Sequence, residues 1–304
     1  MRNALILGAA GAVAPTAPTT LLCLLSTGGL LGLTTVIAGV AIRHGWHPLA
    51  FLFWSALGGG LVLAILAGLS GERPRLSLAL RRYALLSGLL SFALPNMLSF
   101  AALPHVGAGF IALCLAFPPL LTYGLALPLK LDRLSVKGIA GILFGLCGAV
   151  LLATSRPAGG HTSAIWVALA LIAPIIIAMG NIYRTVDWPS DTSPRLLAPA
   201  MLLTADVMVG IGAMTIHAPL VPATPRVGIV LLGAQIVIIA VTYILYFVLQ
   251  RLSGPVGLSQ IGWIGAATGQ LLAVLWLGET VPSILPLAFL LILTGIVLVS
   301  RRAR

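Results

Sequence analysis

The chain has 304 residues, of which 60% are apolar and only 8% charged, and its mean hydropathy is +1.13. So few charges cannot shield so apolar a chain from water, which excludes a soluble domain and leaves a protein that crosses a lipid bilayer several times. Lys and Arg exceed Asp and Glu by 17 to 6; because these basic residues fall in short gaps between apolar runs, they report membrane orientation, and no nucleic-acid partner is expected.

Residues 1–18 hold Arg2, a short apolar segment from Ala4 to Ala14, and then Pro15 and Pro18. Ala12-Val13-Ala14 has the form of a signal-peptidase site, but the apolar run is short and carries one positive charge, so a cytoplasmic tail is expected. Ten spans follow. Those of the first half are predicted at 19–42, 48–69, 80–103, 107–128 and 136–154, and those of the second at 163–186, 194–216, 226–249, 255–277 and 282–300. The gaps between them are too short for an extramembrane domain, so whatever the protein does, it does inside the bilayer. Cys23, Cys114 and Cys147 lie in three different apolar runs without CxxC spacing, which indicates neither a disulfide nor a metal site.

Alternate gaps divide the basic residues unequally. One side receives Arg2, Arg73, Arg75, Arg81, Arg82, Lys130, Arg133, Lys137, Arg184, Arg195, Arg251, Arg301, Arg302 and Arg304, and the other only Arg43, Arg156 and Arg226. This bias predicts that both termini are cytoplasmic and supports an even number of spans. The segment from Gly107 to Ser155 recurs, degraded, from Gly254 to Arg302. A shift of 147 positions carries Gly107 onto Gly254, Asp132 onto Glu279, Gly148 onto Gly295 and Val150-Leu151 onto Val297-Leu298. Two halves, 19–155 and 156–304, therefore follow the tail. Five spans per half is an odd number, so the second half enters the membrane from the opposite side. The expected fold is an all-α membrane protein of ten transmembrane helices, arranged as two inverted five-helix repeats around a central cavity.

Several motifs sit within this plan. Leu277-Gly278-Glu279 ends the ninth span and is followed by a last helix centred on Gly295; Leu131-Asp132-Arg133 and Gly148 hold the same places in the first half. Leu94-Pro95-Asn96 and Pro104 through Gly109 join the third and fourth spans. In these features the chain resembles the drug/metabolite transporter superfamily, specifically the EamA-like ten-helix exporters. That resemblance implies export of small metabolites, commonly amino acids, and relatives also move nucleotide sugars, purines and drugs. The first half departs from the family pattern, with Asp where Gly-Glu is usual.

Candidate site residues come from polar groups and helix breaks at membrane depth. Asp206 lies near the middle of the seventh span, where it must be protonated, paired or facing a wet cavity. Two readings stay open for it, a proton-coupling or amine-binding group and a protonated packing residue. The eighth span carries Gln235, Thr242, Tyr243 and Tyr246, with Gln250 a step further, and the ninth carries Gln260, Trp263 and Gln270. These side chains form stripes that face each other across a cavity or bond between helices. Asn96 and Asn181 add an amide in the third and sixth spans. Pro95, Pro118, Pro119 and Pro174 are predicted hinges or breaks, freeing carbonyls at the midplane. Glu279 and Asp132, at helix ends, read as capping or hinge contacts. The glycines of the first span, Gly28, Gly29 and Gly32, allow close backbone approach or passage of substrate, and Gly138, Gly141, Gly145 and Gly148 read as a packing seam.

No GxSxG, HExxH or Walker motif is present, and the five histidines lie near span ends, so an enzyme, a metal centre and a cofactor are not expected. A channel would conduct without saturating and a receptor would bind without flux. The expected function is a secondary transporter of the bacterial-type inner membrane that exports small organic metabolites by alternating access. Hydrophobic or aromatic amino acids lead; nucleosides, nucleotide sugars or drugs are the alternative cargo. Its partners are a small-molecule substrate and the lipid bilayer.

Overall fold

The structure, a computed structural model, describes residues 17–72, 77–131, 134–154, 163–189, 192–280 and 283–300. Most of the predicted tail, Asp132 and Asp191 lie outside these residues, as do several of the counted arginines, among them Arg73, Arg75 and Arg156. The pairing of Asp132 with Glu279 in the repeat is therefore compared on Glu279 alone. All regular structure among the described residues is helical: α1 (Ala17–Arg43), α2 (Pro48–Leu69), α3 (Leu78–Gly88), α4 (Leu94–Val106), α5 (Ala108–Cys114), α6 (Pro118–Ala126), α7 (Val136–Thr154), α8 (Ala164–Val186), α9 (Pro194–Thr215), α10 (Pro225–Ser259), α11 (Ile261–Leu277) and α12 (Leu285–Ser300), with a π-helical turn at Leu89–Ala93 between α3 and α4. These make ten spans. Seven are long and apolar enough to cross a bilayer, counting Leu78–Val106 and Ala108–Ala126 as one each, and three shorter apolar helices complete the set.

The helix ends follow local chemistry. Pro48, Pro118 and Pro194 stand in the first turn of their helices, where a missing N–H costs nothing. Ser77 accepts a hydrogen bond from the Leu80 N–H to cap α3. Gly107, at φ 86°, makes the abrupt joint between α4 and α5, a conformation open to glycine.

Helix pairing shows an exchange pattern. The first span packs on the ninth and the sixth on the fourth; the eighth packs on the first and the third on the sixth; the second packs on the eighth and the seventh on the third. Second with seventh, fourth with ninth and fifth with tenth complete the set. Swapping spans one to five with six to ten reproduces every one of these pairs, as an inverted repeat requires. Glycines bring the backbones together at two of them. A Cβ at Gly32 would lie 2.5 Å from the Gly265 carbonyl oxygen and 2.6 Å from the Gly269 nitrogen, and one at Gly295 would lie 2.5 Å from the Gly141 oxygen. The glycines of the first and fifth spans are thus packing seams, the role small residues play where lipid removes the hydrophobic drive.

Three expectations are corrected. Helical structure runs on through 250–259 without the predicted loop at 250–254, and the interruption falls at Gln260. Helix α8 is continuous through Pro174, because a membrane helix tolerates a proline when its neighbours accommodate the freed carbonyl. Pro95 does not break its span either: the π-helical turn precedes it, and the Leu94 N–H bonds to the Leu89 carbonyl, taking up the register change. At Pro118-Pro119 the break is real, with α5 ending at Cys114 and α6 starting at Pro118.

Candidate functional site

We call the side on which α1 begins the near face and the other the far face. One turn from the near face, α8 carries Asn181 and Arg184 three residues apart and so on one helical side. Asn181 is 2% exposed and Arg184 is fully buried. Arg184 Nη2 donates to Asn181 Oδ1 at 2.7 Å and to the Tyr246 hydroxyl of α10, and its guanidinium carbon stands 4.6 Å from the centroid of the Tyr246 ring. The Tyr246 hydroxyl in turn donates to Asn181 Oδ1 at 3.2 Å, and Asn181 Nδ2 donates to Thr122 of α6 at 3.4 Å. Nη1 reaches only the Met201 sulfur of α9, at 3.9 Å. Among the described residues no carboxylate pairs with Arg184, and its Nε has no hydrogen-bond partner. A fully buried guanidinium without a counter-ion is costly to keep, and its neutral partners satisfy donors without cancelling the charge.

Aromatic rings surround this cluster. Tyr243 lies 5.6 Å from Tyr246 and 5.7 Å from Phe92 of the π-helical turn, while Tyr246, Phe247, Trp188 and Tyr83 follow one another at 6.1 Å steps toward the near face. There the exposed end of α3 meets that of α8. Arg82 and Asp187 form an ion pair, and the Tyr183 hydroxyl donates to Asp187 Oδ2 at 2.5 Å. The far face has ties of its own. Glu279 accepts hydrogen bonds from the N–H groups of Ala108 at 2.7 Å and Gly109 at 2.9 Å, capping α5, and Arg43 donates to the Leu277 carbonyl at 2.7 Å. The capping contact expected of Glu279 is thus present. Trp46 Nε1 donates to the Gly228 carbonyl, joining the start of α2 to that of α10.

Of the nominated residues, Asn181, Tyr243 and Tyr246 come together, with Arg184 and Thr122 as their unforeseen neighbours. The others do not join them. Asp206 is 4% exposed in α9, with Oδ1 unpartnered. Asn96 bonds to the Phe92 carbonyl of its own helix at 2.8 Å. Gln235 is buried and donates to the Thr34 carbonyl of α1 at 3.4 Å, while Thr242 is buried with its hydroxyl unpartnered. Gln260 and Trp263 are half-buried on α11, and Trp263 packs against the core. The Gln235 contact is a bond between helices, the alternative open for the stripes, and α1 packs against both α10 and α11. The larger cavities also lie elsewhere. One of about 1030 Å³ opens at the near face between α2, α3 and α9, with apolar walls and Glu72, Arg81 and Arg82 among its lining; two of about 320 and 350 Å³ lie between α6, α7 and α8 and between α5, α11 and α12. Of the candidate polar residues only Gln270 lines one of them, the cavity between α5, α11 and α12, while Arg184 and Asn181 are buried away from all three.

Arg184 escapes a reading of the sequence because its charge counts with those of the adjoining loop. The signal was available: it falls inside the predicted sixth span, one helical turn after Asn181. Removing it from the loop charges leaves the bias between the two sides intact.

No curated protein sequence matches this chain. Several solved structures share its fold, among them a crystal structure with a TM-score of 0.65 at 19% identity that covers 95% of this chain and is itself covered to 99%. Residues 19–154 match the EamA-like transporter family. Residues 19–154 thus form an EamA-like transporter domain, a domain of the drug/metabolite transporter superfamily.

Proposed function

We propose that the protein is a secondary carrier of small organic metabolites, working by alternating access between halves 19–155 and 156–304. The observation that carries this reading is the pair of ties at opposite faces, each joining one half to the other, with a buried polar and aromatic cluster one turn inside the near face. Parting Arg82 from Asp187 would open the near face while Glu279 holds the far one, and the reverse exchange would expose the same cluster to the other side. The bias of basic residues makes the near face cytoplasmic, with both termini inside an inner or plasma membrane. The direction favoured is export.

Amino acids with hydrophobic or aromatic side chains are the cargo favoured by Tyr243, Tyr246 and Phe92. Asn181, with Asn96 and Gln260 further along the path, supplies polar groups for the zwitterion, and Asp206 is the proton-coupling group. The test is uptake of a radiolabelled amino-acid panel into proteoliposomes, with and without a pH gradient. Saturable uptake competed by aromatic or other apolar amino acids supports the reading. If no amino acid moves above empty liposomes while nucleosides or drugs do, the amino-acid assignment is overturned and the carrier stands.

A further inference from the structure

We infer that Arg184 is the counter-charge for a carboxylate on the transported solute, held in this conformation by neutral stand-ins. The inference rests on the carrier reading and narrows its substrate to acids. A fully buried guanidinium is normally paired with a carboxylate, because an uncompensated charge is costly to keep out of water. Here the pairing is absent among the described residues. Asp187 stands three residues away on the same helix but is taken by Arg82, and the partners Arg184 does have are an amide, a phenol and a thioether.

Those partners leave unused bonding capacity in one place. Arg184 Nε is buried and unbonded, and so are the Tyr83 hydroxyl and Ser91 Oγ, both on the span that packs against α8. Ser91 sits against the backbone of Gly180, next to Asn181: a Cβ built on Gly180 would come within 2.4 Å of its oxygen. Buried polar groups without partners are uncommon, and three in one helix interface mark a site that another group completes. A carboxylate suits it by geometry, since the guanidinium fork offers two parallel donors to two oxygens and the hydroxyls offer a third and fourth. The acceptors now held by Nη2, Asn181 Oδ1 and the Tyr246 hydroxyl, are neutral and can be exchanged for a charged one without breaking a salt bridge. The rings of Tyr243 and Phe92 lie beyond Tyr246 on the side away from the near face, where the apolar part of an acid bound at Arg184 would rest. Asp187 caps the end of α8, so the near-face tie holds the end of the helix that carries the guanidinium.

The experiment compares L-phenylalanine with its carboxamide, L-phenylalaninamide, at about pH 6, where both amino groups are protonated and only the carboxylate differs. Binding is read as the concentration-dependent rise in unfolding midpoint of detergent-solubilised protein, and flux as uptake into proteoliposomes. The wild type should prefer the acid by on the order of 10- to 100-fold. Arg184→Gln should bring the preference close to unity, and Arg184→Lys, which keeps the charge but not the fork, should retain part of it. Equal binding of acid and amide by the wild type, or an undiminished preference in Arg184→Gln, overturns the inference. If the glutamine variant does not fold, the wild-type comparison and the lysine variant decide it. Flux without acid preference sinks the carboxylate site and leaves the carrier; acid-selective binding without flux of any solute keeps the site and sinks the carrier; binding of neither probe sinks the site.

Discussion

Replacing Glu279 by alanine removes both acceptors that cap α5. The carboxylate bridges two consecutive backbone N–H groups at 2.7 and 2.9 Å, just after Gly107 turns the chain at φ 86°. An N-cap side chain is ordinarily worth about 1 kcal/mol, and bonds to a charged acceptor somewhat more. Ala108 is buried, so its N–H regains little solvent when the cap is lost, whereas Glu279 itself is only half-buried, which screens the charge. Taken together, Glu279→Ala should cost about 2 kcal/mol. For a chain of this size that corresponds to a midpoint lowered by about 3 °C, read by thermal unfolding in detergent micelles. Glu279→Gln keeps one acceptor and should lose about half as much. The same tie joins the ninth span of the second half to the fourth of the first, so a cysteine placed at Gly109 in the Glu279→Ala protein should label faster from the far side. A midpoint within about 1 °C of wild type, together with unchanged labelling, would refute the claim that this cap holds the far face.

Other perturbations have equally definite outcomes. Gly32→Val sets a branched side chain 2.5 Å from the Gly265 carbonyl oxygen and should cost at least about 1–3 kcal/mol; size-exclusion profiles of the variant should show loss of folded protein, whereas Gly29→Ala, where nothing lies within 4 Å, should behave as wild type. Tyr246→Phe keeps the ring over Arg184 but removes the hydroxyl shared by Arg184 and Asn181, lowering the unfolding midpoint by an amount that reports about 1–3 kcal/mol. Asp206→Asn preserves shape in a site where Oδ1 bonds to nothing, and should leave exchange of substrate intact while abolishing its response to a pH gradient. A retained response in proteoliposomes returns Asp206 to a packing role.

The parts of this architecture that could be read from the chain are those decided locally. Span positions follow from runs of apolar residues, the kink at Pro118-Pro119 follows from two missing donors, and the fifth-span seam follows from Gly141, Gly145 and Gly148 recurring on one helical side. Glu279 could be read because an acid at a helix end has few other tasks. Arg184 could not be separated from the loop arginines, because its burial depends on Tyr246 and Thr122, each about 60 residues away along the chain. The same non-locality hid the partner of Gln235: its stripe is visible in the eighth span, but only the packed bundle shows that it turns to Thr34 of α1 and not to α11. Pro174 misled for the opposite reason, since a strong local breaker was overruled by the surrounding helices.

The account rests on the two halves exposing one site to each side in turn, and counterflow tests this most directly. Proteoliposomes loaded with unlabelled phenylalanine should take up labelled phenylalanine faster than empty ones, with a rate that saturates as external substrate rises, because a carrier returns loaded more readily than empty. Uptake that rises linearly with concentration and is indifferent to substrate on the other side would contradict alternating access and describe a channel instead.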